Sequence, residues 1–550
     1  MSLTADSLLD SLLATAVFFV TSLDLFLIKV FAMPQLTQNL IDDLSTQPIP
    51  QVSEIETCYL EQLGKLDTID AEVLKSISHV KRFSQRWQGD RTFRERVVAD
   101  PYQTIADYSL EVDPEEIRFF WDTNLSQEIN EEALLTPLLK QCQEVTDTIP
   151  QNLLNLLFTS FKEPRFEAWR ARQIARAESQ FKQTVHHAIH HLPVTFELSK
   201  GCSIGCHFCG ISAPRLGDIF LYNSANAKLW NEVLELMQEI LGFAAGAGFC
   251  YWATDPLDNP DYEKFCSDFH KILGVFPQTT TAQPLKDIER TKALLKLSRK
   301  KGCLINRFSI LSLKILNQVH EKFSAEELLH VNLALQNQES EGGKAHAGRS
   351  RERNLKKGQE DSELPDQGTI ACVSGFLFNM VERSVKLISP CNASERWPLG
   401  YIVFDEGTFT DASDLKILLE RMIDQHMPIT VRPTDVVNFR SDLKYESLAD
   451  GFKLSNRVKT FKFRLDPYLR DLGDIIHQGG KTAAEIADIF EARGVKTAYT
   501  YHYLNLMLKK AVLDDEPKSK NVELRVPHYP SVSWQGSEEA SLEEKAIALK

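Results

Sequence analysis

The sequence predicts an α/β protein: a parallel sheet curved into a partial (β/α)6 barrel, between a helical N-terminal domain and a small C-terminal helical unit. Three observations predict it. Six short apolar runs between about residues 190 and 440 alternate with amphipathic stretches, the texture of parallel strands joined by right-handed crossovers. Before residue 185, Leu, Ile and Phe recur at three- and four-residue spacing with little strand-like alternation. Near the C-terminus, Thr482 and Glu485 form a capping-box pattern opening TAAEIADIFEARG, and TAYTYHYLNLMLKKAVLD follows after a short turn. That spacing is that of a helix-turn-helix or small winged-helix unit.

The 550 residues are too many for one ordinary core. We divide them into an apolar extension outside the mature fold (1–33), a helical N-terminal domain (34–185), the partial barrel (186–440), the C-terminal unit (441–513) and a polar, Pro-interrupted flexible tail (514–550). Hydrophobic residues at 43% and charged residues at 25% are globular values. A net charge of −14 leaves no excess of Lys and Arg to neutralise phosphates, which argues against a general nucleic-acid binder. In residues 11–33, Asp24 and Lys29 interrupt an apolar run that has no basic segment before it. The expectation is a cytoplasmic protein with no stable membrane span, translated from Met33; an amphipathic surface helix is the alternative.

The candidate strands are VTFELS (194–199), AGFCYWA (247–253), FPQTTTA (276–282), CLINRFSIL (303–311), HVNLALQ (330–336) and TIACVSGFL (369–377). Asp113-Pro114-Glu115-Glu116 reads as a helix start. Segment 338–368 is too polar to pack and reads as a mobile loop of the kind that serves as a lid. His186, His187, His190 and His191 offer helical i, i+4 pairs, but with no carboxylate nearby they read as a helix end.

The chemistry concentrates in Glu197-Leu-Ser-Lys-Gly-Cys202-Ser-Ile-Gly-Cys206-His-Phe-Cys209-Gly210. Ten cysteines in 550 residues are no disulfide framework, so a cluster of three points to metal or redox chemistry. Three thiolates can hold three irons of a [4Fe–4S] cube and leave the fourth iron free for a small molecule. A zinc knot completed by His207 is disfavoured, because His207 adjoins Cys206 and no second CxxC lies near.

The motif resembles that of the radical S-adenosylmethionine (SAM) superfamily, Cys-x3-Cys-x-aromatic-Cys, with Phe208 at the aromatic position. The resemblance implies a radical SAM barrel, a [4Fe–4S] cluster on Cys202, Cys206 and Cys209, and SAM bound against Phe208. It also implies a SAM-amine turn at Ala253-Thr254-Asp255, where the family commonly has Gly-Gly-Glu, and polar SAM contacts at Asn306, Arg307 and Ser309. ELSKGCSIGCHFCG, YWATDPLDNPDYEKF, ACVSGFLFN and SPCNASERWPLGY together resemble the radical SAM peptide epimerases that mature proteusin-type ribosomal peptides. Those enzymes remove a Cα hydrogen from an L-residue with a 5′-deoxyadenosyl radical, and a cysteine thiol returns a hydrogen to leave a D-residue. The resemblance implies Cys372 as that donor, with Cys391 as runner-up. The implied partners are a precursor peptide and an electron donor such as flavodoxin or ferredoxin. TFRERVVADPYQTIADYSLEVDPEEIRFFW is itself similar to Nif11-like and nitrile-hydratase-like leaders, the leader type expected of the precursor. The alternatives are another single-cluster radical SAM peptide-modifying enzyme, or an iron–sulfur nucleic-acid-binding regulator, against which the acidic balance weighs.

Overall fold

Apolar residues recurring on one helix face fold the N-terminal region into a bundle. The computed structural model describes residues 71–122 and 161–517, except 187, 304, 341–344, 359–367 and 465. Within them, α1 (Ala71–Gly89) turns Ile77, Val80 and Phe83 against Phe93 and Val97 of α2 (Arg91–Ala99) and Ile105 of α3 (Pro101–Asp107). Asp90 and Asp100 cap the second and third helices, accepting from Phe93 N at 3.0 Å and Gln103 N at 2.9 Å. The readings on residues 1–33, on Met33 as the start and on the tail beyond 517 lie outside the described residues. Among the described residues no helix is long and apolar enough to cross a membrane.

The helix expected at Asp113 does not form. Asp113 turns the chain instead, its carboxylate accepting from Glu115 N at 2.9 Å, and a single 3-10 turn, Arg118–Phe120, follows. The turn brings Ile117 into the bundle core, a contact that a longer helix would not be needed to make. Lys81, Arg82 and Arg86 of α1 all bond to the sheet region, Arg82 Nη2 donating to Phe323 O and Arg86 Nη1 to Asn317 Oδ1 at 2.5 Å each. Lys81, 3% exposed, donates from Nζ to the carbonyls of Leu328, Leu329 and Val331 at 3.2, 2.7 and 2.9 Å.

The central region is mixed α/β with two parallel ladders. In the first, β1 (Leu192–Glu197) pairs parallel with β7 (Val373–Asn379), in register Phe196↔Phe378, and every residue of both strands is buried. The short β2 (Ser199–Lys200) and β3 (Asp218–Ile219) pair beside the cysteine loop. In the second ladder, β4 (Thr280–Thr281), β5 (Asn306–Ile310) and β6 (Val331–Leu335) run parallel. Two strands absent from the sequence reading, β8 (Ser384–Pro390) and β9 (Tyr401–Thr408), extend the first sheet antiparallel. Helices α4 (Pro164–Gln180), α5 (Gln183–His186) and α6 (Ser224–Leu241) lead into and out of β1, and α7 (Tyr262–Leu273), α8 (Ile288–Lys300) and α9 (Leu313–Lys322) alternate with the second ladder.

No closed barrel is formed among the described residues. The expected strand at 247–253 contributes one isolated bridge, Thr195↔Phe249. The reason is local: Gly242–Ala247 winds into a 3-10 helix, and Gly248 lies so close to β1 that a Cβ there would stand 2.7 Å from Val194 Cγ1. Thr195 Oγ1 ties the segment down, donating to the Phe249 and Tyr251 carbonyls at 3.1 and 2.7 Å. Tyr251 then reaches the second ladder, its hydroxyl 2.8 Å from Thr280 Oγ1.

The segment expected to be a mobile loop, 338–368, contains α10 (Gly348–Lys356). Gly348 permits it: at φ +53°, a Cβ there would meet the Gly210 and Cys209 carbonyls at 2.6 and 2.7 Å. After α11 (Ala412–His426), the C-terminal unit opens with a three-stranded antiparallel sheet that the helical reading missed, β10 (Lys444–Leu448), β11 (Gly451–Ser455) and β12 (Thr460–Arg464). Helices α12 (Pro467–Gln478), α13 (Ala483–Glu491) and α14 (Thr497–Lys509) pack on it through Phe452, Phe463, Leu472, Ile486, Phe490 and Leu504. The capping box of Thr482 and Glu485 is present in both directions.

Removing the Lys81 ammonium takes a donor from three carbonyls, of which Leu328 O keeps Val331 N at 3.0 Å. Lys81→Ala is therefore expected to destabilise the chain by about 1–3 kcal/mol, the cost of unsatisfied buried acceptors. Urea titration followed by tryptophan fluorescence measures it; an unchanged midpoint would show that the other contacts of the junction hold the bundle without Lys81.

Candidate functional site

The cysteine loop is shaped by backbone bonds and two charged side chains, since it carries little apolar surface. Gly201, at φ +85°, lies where a Cβ would stand 2.3 Å from the Arg215 carbonyl, and this close crossing lets Cys202 N donate to Pro214 O at 2.9 Å. The buried Asp258 carboxylate holds Ser203 twice, accepting from its N at 2.9 Å and its Oγ at 2.6 Å. On the other side Arg349 of α10 donates to the carbonyls of Cys206 (2.7 Å) and Ala213. Arg349 N also donates to Cys209 O at 3.0 Å. Ala213 N points at Cys209 Sγ, 3.4 Å away, a donor suited to a thiolate.

These elements enclose a cavity of about 900 Å³. Its wall brings together Cys202, Cys206, Cys209 and Phe208 of the loop, Ala253, Thr254 and Asp255, Ser309 of β5, and Cys372 just before β7. Burial pushes the Cys202 thiol up to about 12 and that of Cys206 up to about 11, so both are protonated at neutral pH and binding a metal there would release their protons. Among the described residues no group of three or more His, Cys, Asp or Glu is gathered tightly enough to hold one metal ion. Thiolates that each take a different iron of a cube stand further apart than ligands of one ion, and the donor set of three thiols on one wall fits the cube's chemistry.

The other expected positions divide. Asp255 reaches the cavity, but its carboxylate is engaged: it accepts from Leu257 N (3.0 Å), Thr281 Oγ1 (2.9 Å) and Ala282 N (2.7 Å). Burial still raises it to about 6. Asn306 is a structural residue rather than a cavity contact: it accepts from Thr279 N at 3.0 Å and donates to Ser298 Oγ at 2.7 Å. Arg307 stands 3.3 Å from His190 Nε2, and its charge acts on Cys372. Burial nevertheless pushes the Cys372 thiol up to about 12. Cys391 is buried elsewhere; it is absent from this cavity wall, and Glu516, Arg176 and Asp442 make its electrostatic surroundings. The histidines diverge, His191 pairing with Ser374 Oγ at 2.7 Å while His190 faces Arg307.

Six further residues contribute that the sequence did not single out as site residues. Tyr251 and Trp252 line the cavity, as do Ser350, Arg353 and Asn354 of α10. Glu197, the last residue of β1, supports the site from behind. Its carboxyl accepts from Ala253 N at 2.8 Å and Asn379 Nδ2 at 2.9 Å, tying the Ala253 turn to the end of β7. A carboxylate ending a largely apolar strand was the signal available for it. Burial, the largest influence, raises this carboxyl to about 7.

That shift has a sign. In the folded chain Glu197 binds a proton up to about pH 7, but an ordinary glutamate releases it near 4.5, so its contribution to stability falls as pH rises between these values. Glu197→Gln is expected to remove this slope. Urea midpoints at pH 5 and 7.5 measure it, and equal slopes for both proteins would place the titration elsewhere.

No family model and no solved structure matches the chain. A curated relative from Sinorhizobium fredii (strain NBRC 101917 / NGR234), "Uncharacterized protein y4wI", is 38% identical over 456 residues, covering 81% of this chain and 88% of the relative. Identity at that level over most of both chains shows common descent, and the chain belongs to the family of y4wI.

Proposed function

We propose that the chain is a radical SAM peptide epimerase, with a [4Fe–4S] cluster on Cys202, Cys206 and Cys209 and with Cys372 as the hydrogen donor. The observation that carries this reading is one cavity wall shared by the Cys-x3-Cys-x2-Cys thiols of the loop and a fourth thiol, Cys372, immediately before β7. A cluster and SAM bound there would supply the 5′-deoxyadenosyl radical that takes a Cα hydrogen.

The chain's own residues supply the rest. Inversion needs a hydrogen source separate from the abstractor, and Cys372 meets the chemical requirement because its thiol stays protonated throughout the neutral range. Cys391, off this wall, has no such access. Phe208 and the Ala253–Asp255 turn offer a ring face and backbone groups on the same wall for an adenosyl and amino-acid ligand. The cavity, at about 900 Å³, is large enough for a small-molecule ligand together with a peptide segment. Tethering of the peptide outside the cavity would raise its local concentration, and the C-terminal unit, with the outer edge of β12 and the partly exposed Tyr499 on α14, is the surface that offers such a tether.

Anaerobically reconstituted Cys372→Ala should still form 5′-deoxyadenosine but accumulate no D-residues in a leader-bearing precursor. Wild type in deuterium oxide should add one deuterium per inverted residue, read by mass spectrometry. Full epimerisation by Cys372→Ala with no deuterium uptake by wild type would overturn the epimerase reading, and turnover of SAM at all separates an enzyme from a cluster-bearing regulator.

A further inference from the structure

Residues 514–517 open the stretch whose composition suggests a flexible tail, yet they are seated on the central region. Their backbone does little of the holding. An isolated bridge, Phe439↔Leu513, precedes them, and Asp514 N donates to Asn438 O at 2.8 Å. The rest is done by two carboxylates. Arg176 of α4, 1% exposed, pairs with Asp515 and, at 3.1 Å, with Glu516. Gln173 Nε2 donates to Asp515 Oδ2 at 2.8 Å, and Arg396 and the Trp397 indole donate to Glu516 Oε2 at 3.3 and 3.0 Å. An ion pair sealed on all sides is permanent, since separating it strands a buried charge. Here the carboxylates lie at the surface, 26% and 20% exposed, above the guanidinium. Their departure admits water to Arg176, so the joint is releasable.

What the joint touches gives release a consequence. Trp397 closes the turn 391–400, its carbonyl accepting from Ser394 N and Gly400 N at 3.3 and 3.0 Å. The neighbouring Pro398 carbonyl accepts from Gly348 N at 2.8 Å, and a Cβ on Gly400 would stand 3.1 Å from Ala347 Cβ. Gly348 starts α10, and the next residue, Arg349, holds the Cys206 and Cys209 carbonyls at 2.7 and 3.0 Å. From Glu516 to the thiol loop the path is therefore Trp397, Pro398, Gly348 and Arg349, with a hydrogen bond at every joint between segments. Contiguity becomes coupling where one element has two states, and the tail segment is that element.

We propose that the Asp515–Glu516 pair is a releasable latch on the thiol loop. Seated, it fixes the 391–400 turn and, through it, the start of α10. Released, it loosens the grip of Arg349 and opens the loop thiols to solvent and to an entering metal. This rests on the loop being the metal-holding segment, as assigned above. No covalent bond or electron changes place; ion pairs and hydrogen bonds are exchanged for water.

The test is labelling of the metal-free full chain with N-ethylmaleimide, read cysteine by cysteine by mass spectrometry. Cys391, buried in the field of Glu516 and Arg176, reports whether the joint has opened. Cys250, Cys266 and Cys303, buried in the core, report loss of the fold. In Asp515→Asn/Glu516→Gln, Cys206, Cys209 and Cys391 should label at least about tenfold faster than in wild type, with the three core thiols unchanged. Faster labelling of Cys391 alone would overturn the latch, because the joint would then open without moving the loop. Wild-type labelling at every cysteine would overturn it too. If the core thiols also label faster, Trp397→Phe decides, since it removes the indole N–H and keeps an apolar ring. Faster Cys206 and Cys209 with a protected core would then uphold the latch, and wild-type rates would overturn it. The measurement contains no metal, so it stands apart from the cluster assignment, which the iron content of the wild-type chain tests separately.

Discussion

The grip of Arg349 on the cysteine loop is the constraint from which the rest of the site follows. A loop with three glycines among its first ten residues has little apolar surface to bury, and fixing it costs backbone entropy at each position. Charge-assisted hydrogen bonds replace the missing packing: a guanidinium takes two loop carbonyls on one side, and the Asp258 carboxylate takes Ser203 on the other. Both gripping groups come from elements distant in sequence. The loop therefore acquires its shape only when the segment after β3 and the helix after β6 have both arrived.

The same logic joins the two ladders. They share no strand pairing among the described residues, so the space between them is spanned by polar side chains: Thr195 to the Tyr251 carbonyl, the Tyr251 hydroxyl to Thr280, Asp255 to Thr281 and Ala282. A gap bridged in this way leaves a cavity where a continuous sheet would have closed it. Burial raises Cys372 and Asp255 at the cavity, and Glu197 behind it, towards their neutral forms. The hydrogen donor proposed above would be served by that environment.

Much of this was legible where one period dominated. Phe196 and Val194 mark β1, Phe308 and Ile310 mark β5, and Val331 and Leu333 mark β6 as buried runs, and the cysteine spacing located the loop. Legibility failed where tertiary contacts override local pattern. AGFCYWA reads as a strand, but Gly248 is pressed on Val194 and the pairing shrinks to one bridge. Helix α10 reads as solvated loop because its cations seek carbonyls and solvent rather than an apolar core. Strands β10 to β12 were hidden by Lys and Glu on their exposed faces, though Phe452, Leu454 and Phe463 build the core beneath. The bonds of Asn306 were not legible in the sequence, since a polar residue on a buried strand can satisfy its neighbours' backbone as well as line a cavity.

The central claim is that Cys202, Cys206 and Cys209 hold one iron–sulfur cluster. Metal analysis of the anaerobically reconstituted chain, beside a Cys202→Ala/Cys206→Ala/Cys209→Ala variant, tests it most directly. The account predicts about four irons per chain, with visible absorbance that bleaches on reduction and is lost in the variant. Stoichiometric zinc without iron in protein prepared without oxygen would contradict it.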